Sequence, residues 1–457
     1  MRSNTTKKNR LKQIKSLKQR WLQFSQKDWS SAIPTDLINQ LIEKEKNSFR
    51  DRIFNPLVTL SMFLFQVTHS DQSCRNAVAD YISTFGLMDD KPCSYSTGSY
   101  CKARNRLSES LCKDLLIESG KASIKNIQDN WKWKNFNVKL VDGTTITMPD
   151  TPENQQEYPQ PASQKPGLGF PIIRLVTITS LSTGIVLDYA ISPWRGKETG
   201  EHALFREMFD GLEQDDIVLA DRYYCSYFLI AYLQMNQINA VFQQHASRKT
   251  DFRRGKRLGV KEHLVNWKKP ARPKWMDKET YEQMPSEITV RETKTKGIVI
   301  VSTFLDPKII KRSELAELYT ERWLIEVDLK FIKEVMKMDI LRCKTPSMIR
   351  KEMSIHLLAY NLIRDVIAKA ASKHCLKPRD ISFKATLQLL CSSQSLLALM
   401  DENNLQKANK TILAKIIQHK IGNRPGRSNP REVKRRPKPY PRKQIKEQSK
   451  AYNKNVA

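Results

Sequence analysis

The 457-residue chain is short of acid, with 48 Asp or Glu against 78 Lys or Arg, and it has no long apolar run. A membrane-spanning helix needs roughly 18 or more such residues, so no membrane span is expected. The N-terminal stretch MRSNTTKKNRLKQIKSLKQR is basic but lacks the apolar core of a secretory signal. Eight cysteines are present and no two form a C-x-x-C pair, which argues against structural zinc. They read as free thiols of a reducing cytosol, so a cytoplasmic protein is expected. The seven histidines have no ligand spacing and read as structural. The shortage of acid leaves a formal charge of +30. That charge calls for a polyanionic partner, nucleic acid first, although a membrane surface or a ribosome would give the same sign. At 40% hydrophobic residues the chain can bury a substantial core, in about two to four domains.

Residues 1–30 form a basic arm, with eight Lys or Arg and no acid among the first 20. Residues 31–134 read as a helical domain. Ile33-Pro34-Thr35 offers one capped start, and Asn55-Pro56 opens the apolar segment LVTLSMFLFQV as N-cap and N1. A helix follows from about Cys74 to Phe85. Ser96 or Thr97, then Ser108, suit the caps of two further short helices, the first carrying Lys102, Arg104 and Arg106. Short helices with one basic face are how helix-turn-helix modules meet the major groove. An ordinary helical domain with a basic surface would show the same pattern.

From about 135 the period changes to strands. NFNVKLVDGTTITMPD, GFPIIRLVTITSLSTG and GIVLDYAISP read as three strands, the last two joined by a Ser-Thr-Gly turn. EHALFREMFDGL is a helix, DDIVLADRYYCSYFLIAYLQMN a strand and a helix, and INAVFQQH a fifth strand. This order gives an α/β fold of ribonuclease-H-like type, a mixed sheet with flanking helices. Residues 246–300 interrupt it with 15 Lys or Arg against seven acids. The catalytic unit then spans 135–404, and 405–457 is a basic, largely disordered tail.

The most informative stretch is LYTERWLIEVDLKFIKEVMKM, from Leu318 to Met338, which reads as one long helix. At about 100° per residue, Tyr319, Arg322, Glu326 and Lys333 fall within roughly 60° of one another, on a stripe about 21 Å long. Leu324, Val327, Phe331 and Val335 form a greasy face that packs on a core. Asp328 falls on the far side from Glu326 and reads as surface. A solvated face laced with ion pairs would also explain the stripe, but the spacing is Y-(2)-R-(3)-E-(6)-K. With VDGTT at Asp142 and LADRYY at Asp221, the chain resembles the cut-and-paste DDE transposases of the IS-four insertion-sequence family.

The resemblance implies a helical end-recognition domain of 31–134, a catalytic domain of 135–404 and a β-rich insertion near 246–300. It implies catalytic and metal-holding roles for Asp142, Asp221 and Glu326, with phosphate contacts from Tyr319, Arg322 and Lys333. Arg222 suits a phosphate contact or a structural ion pair equally. Phosphodiester cleavage needs attacking and leaving oxygens stabilised together, which two Mg²⁺ ions about 3.5–4 Å apart achieve, with Mn²⁺ as a substitute. Some relatives form a hairpin at the element end and stack a flipped base on tryptophan. Trp323, Trp267 and Trp275 are the candidates here. The implied partners are double-stranded DNA, as terminal inverted repeats and as target, and a second copy in a synaptic homodimer. Two other readings remain: a nuclease of this fold without strand transfer, and a non-catalytic DNA-binding derivative.

Overall fold

The computed structural model describes residues 40, 53–86, 93–398 and 400–422. The arm expected over 1–30, the helix start at Ile33-Pro34-Thr35 and the stretch from Arg424 onward lie outside the described residues.

Among the described residues four α-helices of more than one turn precede the sheet: α1 (Pro56–Thr68), α2 (Cys74–Tyr81), α3 (Gly98–Arg106) and α4 (Glu109–Ile124). Their starts follow the caps. Asn55 Oδ1 accepts from the Val58 amide at 3.0 Å, with Pro56 at the first helical position. Ser73 and Ser108 accept likewise from Asn76 and Leu111, whereas Thr97 at the head of α3 makes no such bond. The basic face expected on α3 loses its central member. Arg104 is buried, donating to Gln66 Oε1 at 3.2 Å with its guanidinium 4.9 Å from the Phe63 ring centroid. Lys102 and Arg106 stay exposed.

A single nine-stranded sheet organises the rest, in the order β3-β2-β1-β4-β5-β9-β8-β7-β6. Its first strands are β1 (Val138–Thr147), β2 (Ile172–Ser180), β3 (Val186–Pro193), β4 (Ile217–Ala220) and β5 (Asn239–Gln243). β1 to β3 pair antiparallel, while β4 joins β1 and β5 joins β4 in parallel. Three short helices connect them: α5 (Pro152–Glu157), α6 (Glu201–Arg206) and α7 (Tyr227–Met235). Only α5 was not foreseen. The basic interruption after β5 does not stand apart from the sheet. It forms β6 (Lys256–Gly259), β7 (Glu262–Lys268), α8 (Lys278–Gln283), β8 (Glu287–Thr295) and β9 (Ile298–Ser302). β9 returns antiparallel beside β5, so the insertion lengthens the same sheet.

The expected long helix is three segments: α9 (Arg312–Glu321), α10 (Trp323–Lys330) and a π-helical turn at Phe331–Val335. After it come α11 (Pro346–Ser372), α12 (Phe383–Ala398) and α13 (Glu402–Ile416). The tail expected from 405 therefore begins as helix, because Leu405, Ile412, Leu413 and Ile416 are apolar at helical spacing and bury against the core. The helical segment of 31–134 is not independent either. Leu60 and Phe63 of α1 and Leu111 and Leu115 of α4 share one core with Ile349, Leu357 and Leu358 of α11. A second core fills the opposite face, where Val141, Val218 and Ala220 meet α6 and α7.

Asp328 is not surface. It is 1% exposed and accepts from Arg364 at 2.7 Å, Arg379 at 2.6 Å and the Tyr360 hydroxyl at 2.9 Å. Arg379 also donates to the carbonyls of Ser180 and Leu181. Gly184 in the β2–β3 turn, at φ +81°, leaves room for both guanidiniums; a Cβ there would lie 2.8 Å from Arg364 Nε. The helix wheel misplaced Asp328 because α11 and the β2–β3 turn close over that side. Removing one member of such a buried set strands the others. Asp328→Ala should therefore cost about 3–5 kcal/mol in urea unfolding, against about 0.5 kcal/mol or less for the exposed Glu321→Ala. Equal unfolding midpoints for the two variants would show that the cluster does not stabilise the fold.

Candidate active site

β1 and β4 pair only over Val138–Leu140 and Ile217–Leu219. β4 then ends at Ala220 and the chain turns at Asp221, while β1 runs on to Thr147 along β2. Asp142 is therefore not at the end of its strand. It is mid-strand opposite Thr177 of β2, yet just beyond the last residue of its neighbour β4. Strand alternation puts Asp142 in phase with Leu140 and Thr144. Leu140 packs in the cluster that holds Leu318 of α9 and Ile325 of α10, so this face is the one those helices cover.

The four signature residues cross the strand ends in order. The Tyr319 hydroxyl donates to Gln243 Oε1 at 3.1 Å, where β5 ends. Lys333 Nζ donates to Thr144 Oγ1 at 2.9 Å, on β1. Between them Arg322 donates to Glu326 Oε1 at 2.7 Å. Arg322 lies at the joint of α9 and α10 with φ −49° and ψ −35°. Lys333 lies in the π-helical turn, where an extra residue per turn shifts side chains from ideal α-helical angles.

Charge is concentrated here. Burial pushes the Asp142 carboxyl up to about 6, and the neighbouring Glu201 and Asp221 add to it while Arg322 opposes. Burial also pushes the Tyr319 phenol up to about 12. Both aspartates shape their own turns. Asp142 Oδ1 accepts from the Gly143 amide at 2.8 Å, and Asp221 Oδ1 from the Tyr223 amide at 2.8 Å. The acids are neighbours rather than a closed cage. Among the described residues no three His, Cys, Asp or Glu side chains form a ready metal-binding group, and Glu326 is engaged by Arg322.

Residues 133–362 match the family described as the transposase DDE domain. The chain belongs to the DDE transposase family. It is similar to the transposase InsG for insertion sequence element IS4 of Escherichia coli K12, at 26% identity over 329 residues, 69% of this chain and 72% of that relative. The resemblance to IS-four transposases read from the motifs stands with this match. A cryo-EM structure of a piggyBac transposase synaptic complex with hairpin DNA aligns over 90% of this chain and 86% of that one, at 12% identity and a TM-score of 0.44. Among the described residues no helix is long and apolar enough to cross a membrane.

The tryptophans divide. Trp267 on β7 is 3% exposed, donates its indole N–H to Glu292 at 2.9 Å and is covered by the Arg248 guanidinium at 3.7 Å. It is a core residue and has no open face for a base. Its indole and Glu292 form one buried polar pair, a partnership that composition could not show. Trp275 is exposed, with the Arg206 guanidinium 3.9 Å from its ring. Trp323 opens α10 beside Arg322 and is 60% exposed. Arg222 is exposed. Two residues at the site escaped sequence reasoning: Glu201, at the start of α6, and Tyr224, three positions after Asp221. The only available signals were the acid opening a helix and the second tyrosine of ADRYY. In this transposase Trp267→Ala should lower stability by about 3–5 kcal/mol, while Trp323→Ala should stay within about 0.5 kcal/mol, both read by urea unfolding. A Trp267→Ala protein as stable as wild type would contradict the core assignment.

Proposed function

We propose that this transposase binds the terminal inverted repeats of its element, hydrolyses the phosphodiester at each end and joins the freed ends to target DNA. The observation that carries the reading is that Arg322, at the joint leading into α10, acts on the Asp142 carboxyl of β1 beside Asp221 at the end of β4 and also holds Glu326 at 2.7 Å. In parallel parts of an α/β sheet, sites collect at the carboxyl ends of strands. The ribonuclease-H-like reading is supported by the order β3-β2-β1-β4-β5, three strands antiparallel and two parallel.

Asp142, Asp221 and Glu326 are the residues that would hold divalent cations. Their chemistry fits, since all are oxygen donors suited to hard ions, and Asp142 is half-buried beside other acids, where added positive charge is favoured. Bound Mg²⁺ would stabilise charge on the attacking and departing oxygens. Arg322 has the fork geometry to grip a non-bridging phosphate oxygen pair, which releases Glu326 to the acids. Lys333 contributes a point charge above β1, and Tyr319 a neutral phenol donor at the rim. In the first step a water oxygen bonds to phosphorus and the bond to the 3′-oxygen breaks, leaving a 3′-hydroxyl and a 5′-phosphate. In the second, that 3′-oxygen attacks a phosphodiester of the complementary strand or of the target. One phosphodiester forms as another opens, and a new 3′-hydroxyl leaves. Exposed Trp323 and Trp275 are the rings open to a displaced base if the complementary strand is the target. A homodimer holding two ends together, working on DNA in the cytoplasm, completes the proposal.

Glu326→Gln should bind DNA carrying the repeats that flank the coding region and leave it uncut in Mg²⁺; cutting at the wild-type rate would remove Glu326 from the mechanism. Supplied with pre-cleaved ends bearing a 3′-hydroxyl, the wild-type protein should join them to plasmid, whereas hydrolysis alone would favour a nuclease. End affinity should fall with salt, each phosphate contact adding about −0.9 to the log–log slope, and a nearly flat dependence would contradict binding through the basic surface.

A further inference from the structure

Glu201 is placed by no part of the signature, yet it touches both aspartate motifs. Its carboxylate lies against the backbone of Gly143, on the α6 face of β1, and reaches the strand that carries Asp142 from the side opposite α9 and α10. A Cβ added to Gly143 would sit 2.5 Å from Glu201 Cδ and 2.6 Å from its Oε1, so only glycine after Asp142 admits the acid so closely. Its Oε2 accepts from the Tyr224 hydroxyl at 3.3 Å, and Tyr224 is fully buried in the turn that follows Asp221. Glu201 thus arrives from a third element, α6, and bridges β1 to the end of β4.

The hydrogen bond alone does not explain an acid. A glutamine carbonyl would accept from Tyr224 as well, without placing a third negative charge against Asp142 and Asp221. The positive charge acting on Glu201 is Arg174, which donates to the Thr199 carbonyl and lies 4.5 Å from the Trp194 ring. Arg322, the other guanidinium acting on the set, is already held by Glu326, so the carboxylates outnumber their positive partners, and a negative charge kept there against repulsion is useful when a cation enters.

We propose that Glu201 is a fourth acidic residue of this centre, adding the charge with which Asp142 and Asp221 take up a divalent cation. This rests on the reading of Asp142 and Asp221 given above. The test uses the full chain without DNA and follows Mn²⁺ binding by the electron paramagnetic resonance of the free ion. Glu201→Gln should weaken Mn²⁺ binding by about tenfold with the melting temperature unchanged, in the range seen when supporting groups of metal sites are removed. Tyr224→Phe, which removes the hydrogen bond and keeps the charge, should stay within about twofold of wild type. Should Glu201→Gln melt early, Glu201→Asp replaces it. Affinity within about threefold of wild type then supports the charge role, and a loss of about tenfold overturns it. If Glu201→Gln binds Mn²⁺ as wild type does while Asp142→Asn does not, Glu201 is only a hydrogen-bond acceptor and the proposal fails alone. If Asp142→Asn also binds normally, the assignment of the aspartates fails as well.

Discussion

A carboxylate withdrawn from water needs close positive partners to offset its lost hydration, and Asp328 has two. Arg364 and Arg379 reach it at 2.7 and 2.6 Å from elements far along the chain, with Tyr360 as a third donor. Arg379 also holds the carbonyls of the β2–β3 turn, and Gly184 makes room for the pair. Through this cluster α10 is tied to α11 and to the sheet at a point two residues from Glu326. Desolvation makes an incomplete version of such a cluster costly. The same cost makes the position of α10 definite.

Above that anchor, a difference in strand length creates the site. β4 ends at Ala220 and β1 continues to Thr147, so one edge of β1 runs on without β4 from Leu140 to the bridge between Thr147 and Ile340. Asp142 and Thr144 fall on that stretch, and the helical segments from Arg312 to Val335 lie across it. Lys333 reaches Thr144, Tyr319 reaches the end of β5, and Arg322 holds Glu326 between them. The arrangement stores like charges close together and supplies one guanidinium among them. This suits a centre that neutralises itself with a divalent ion and a phosphate backbone.

The extended sheet gives the basic insertion a definite place. By pairing β9 with β5, the chain carries β6 to β8 out from the core in the same hydrogen-bonded layer. Within it, Glu262 pairs with the fully buried Arg291, and Glu292 takes both His263 and the Trp267 indole. Glu262, Arg291 and Glu292 are therefore internal. Because the buried set holds two acids and one arginine, the exposed part of the insertion is slightly more basic than the raw count of 15 against seven.

Local rules were legible in the sequence. The caps at Asn55 and Ser108, the strand alternation around Asp142 and the spacing of Tyr319, Arg322, Glu326 and Lys333 all depend on residues within a few positions of one another. What depended on distant partners was not legible. Asp328 reads as surface until Arg364 and Arg379, 36 and 51 residues away, close over it. Arg104 reads as a basic face until Gln66 and Phe63 enclose it. Trp267 reads as a free ring until Glu292 takes its N–H. Glu201 reads as one more acid on a helix until folding sets it against Gly143 and Tyr224. Periodicity and capping are set by neighbours along the chain, so sequence alone determines them; burial and charge pairing are set by whichever segments meet in space, and only the tertiary structure decides that.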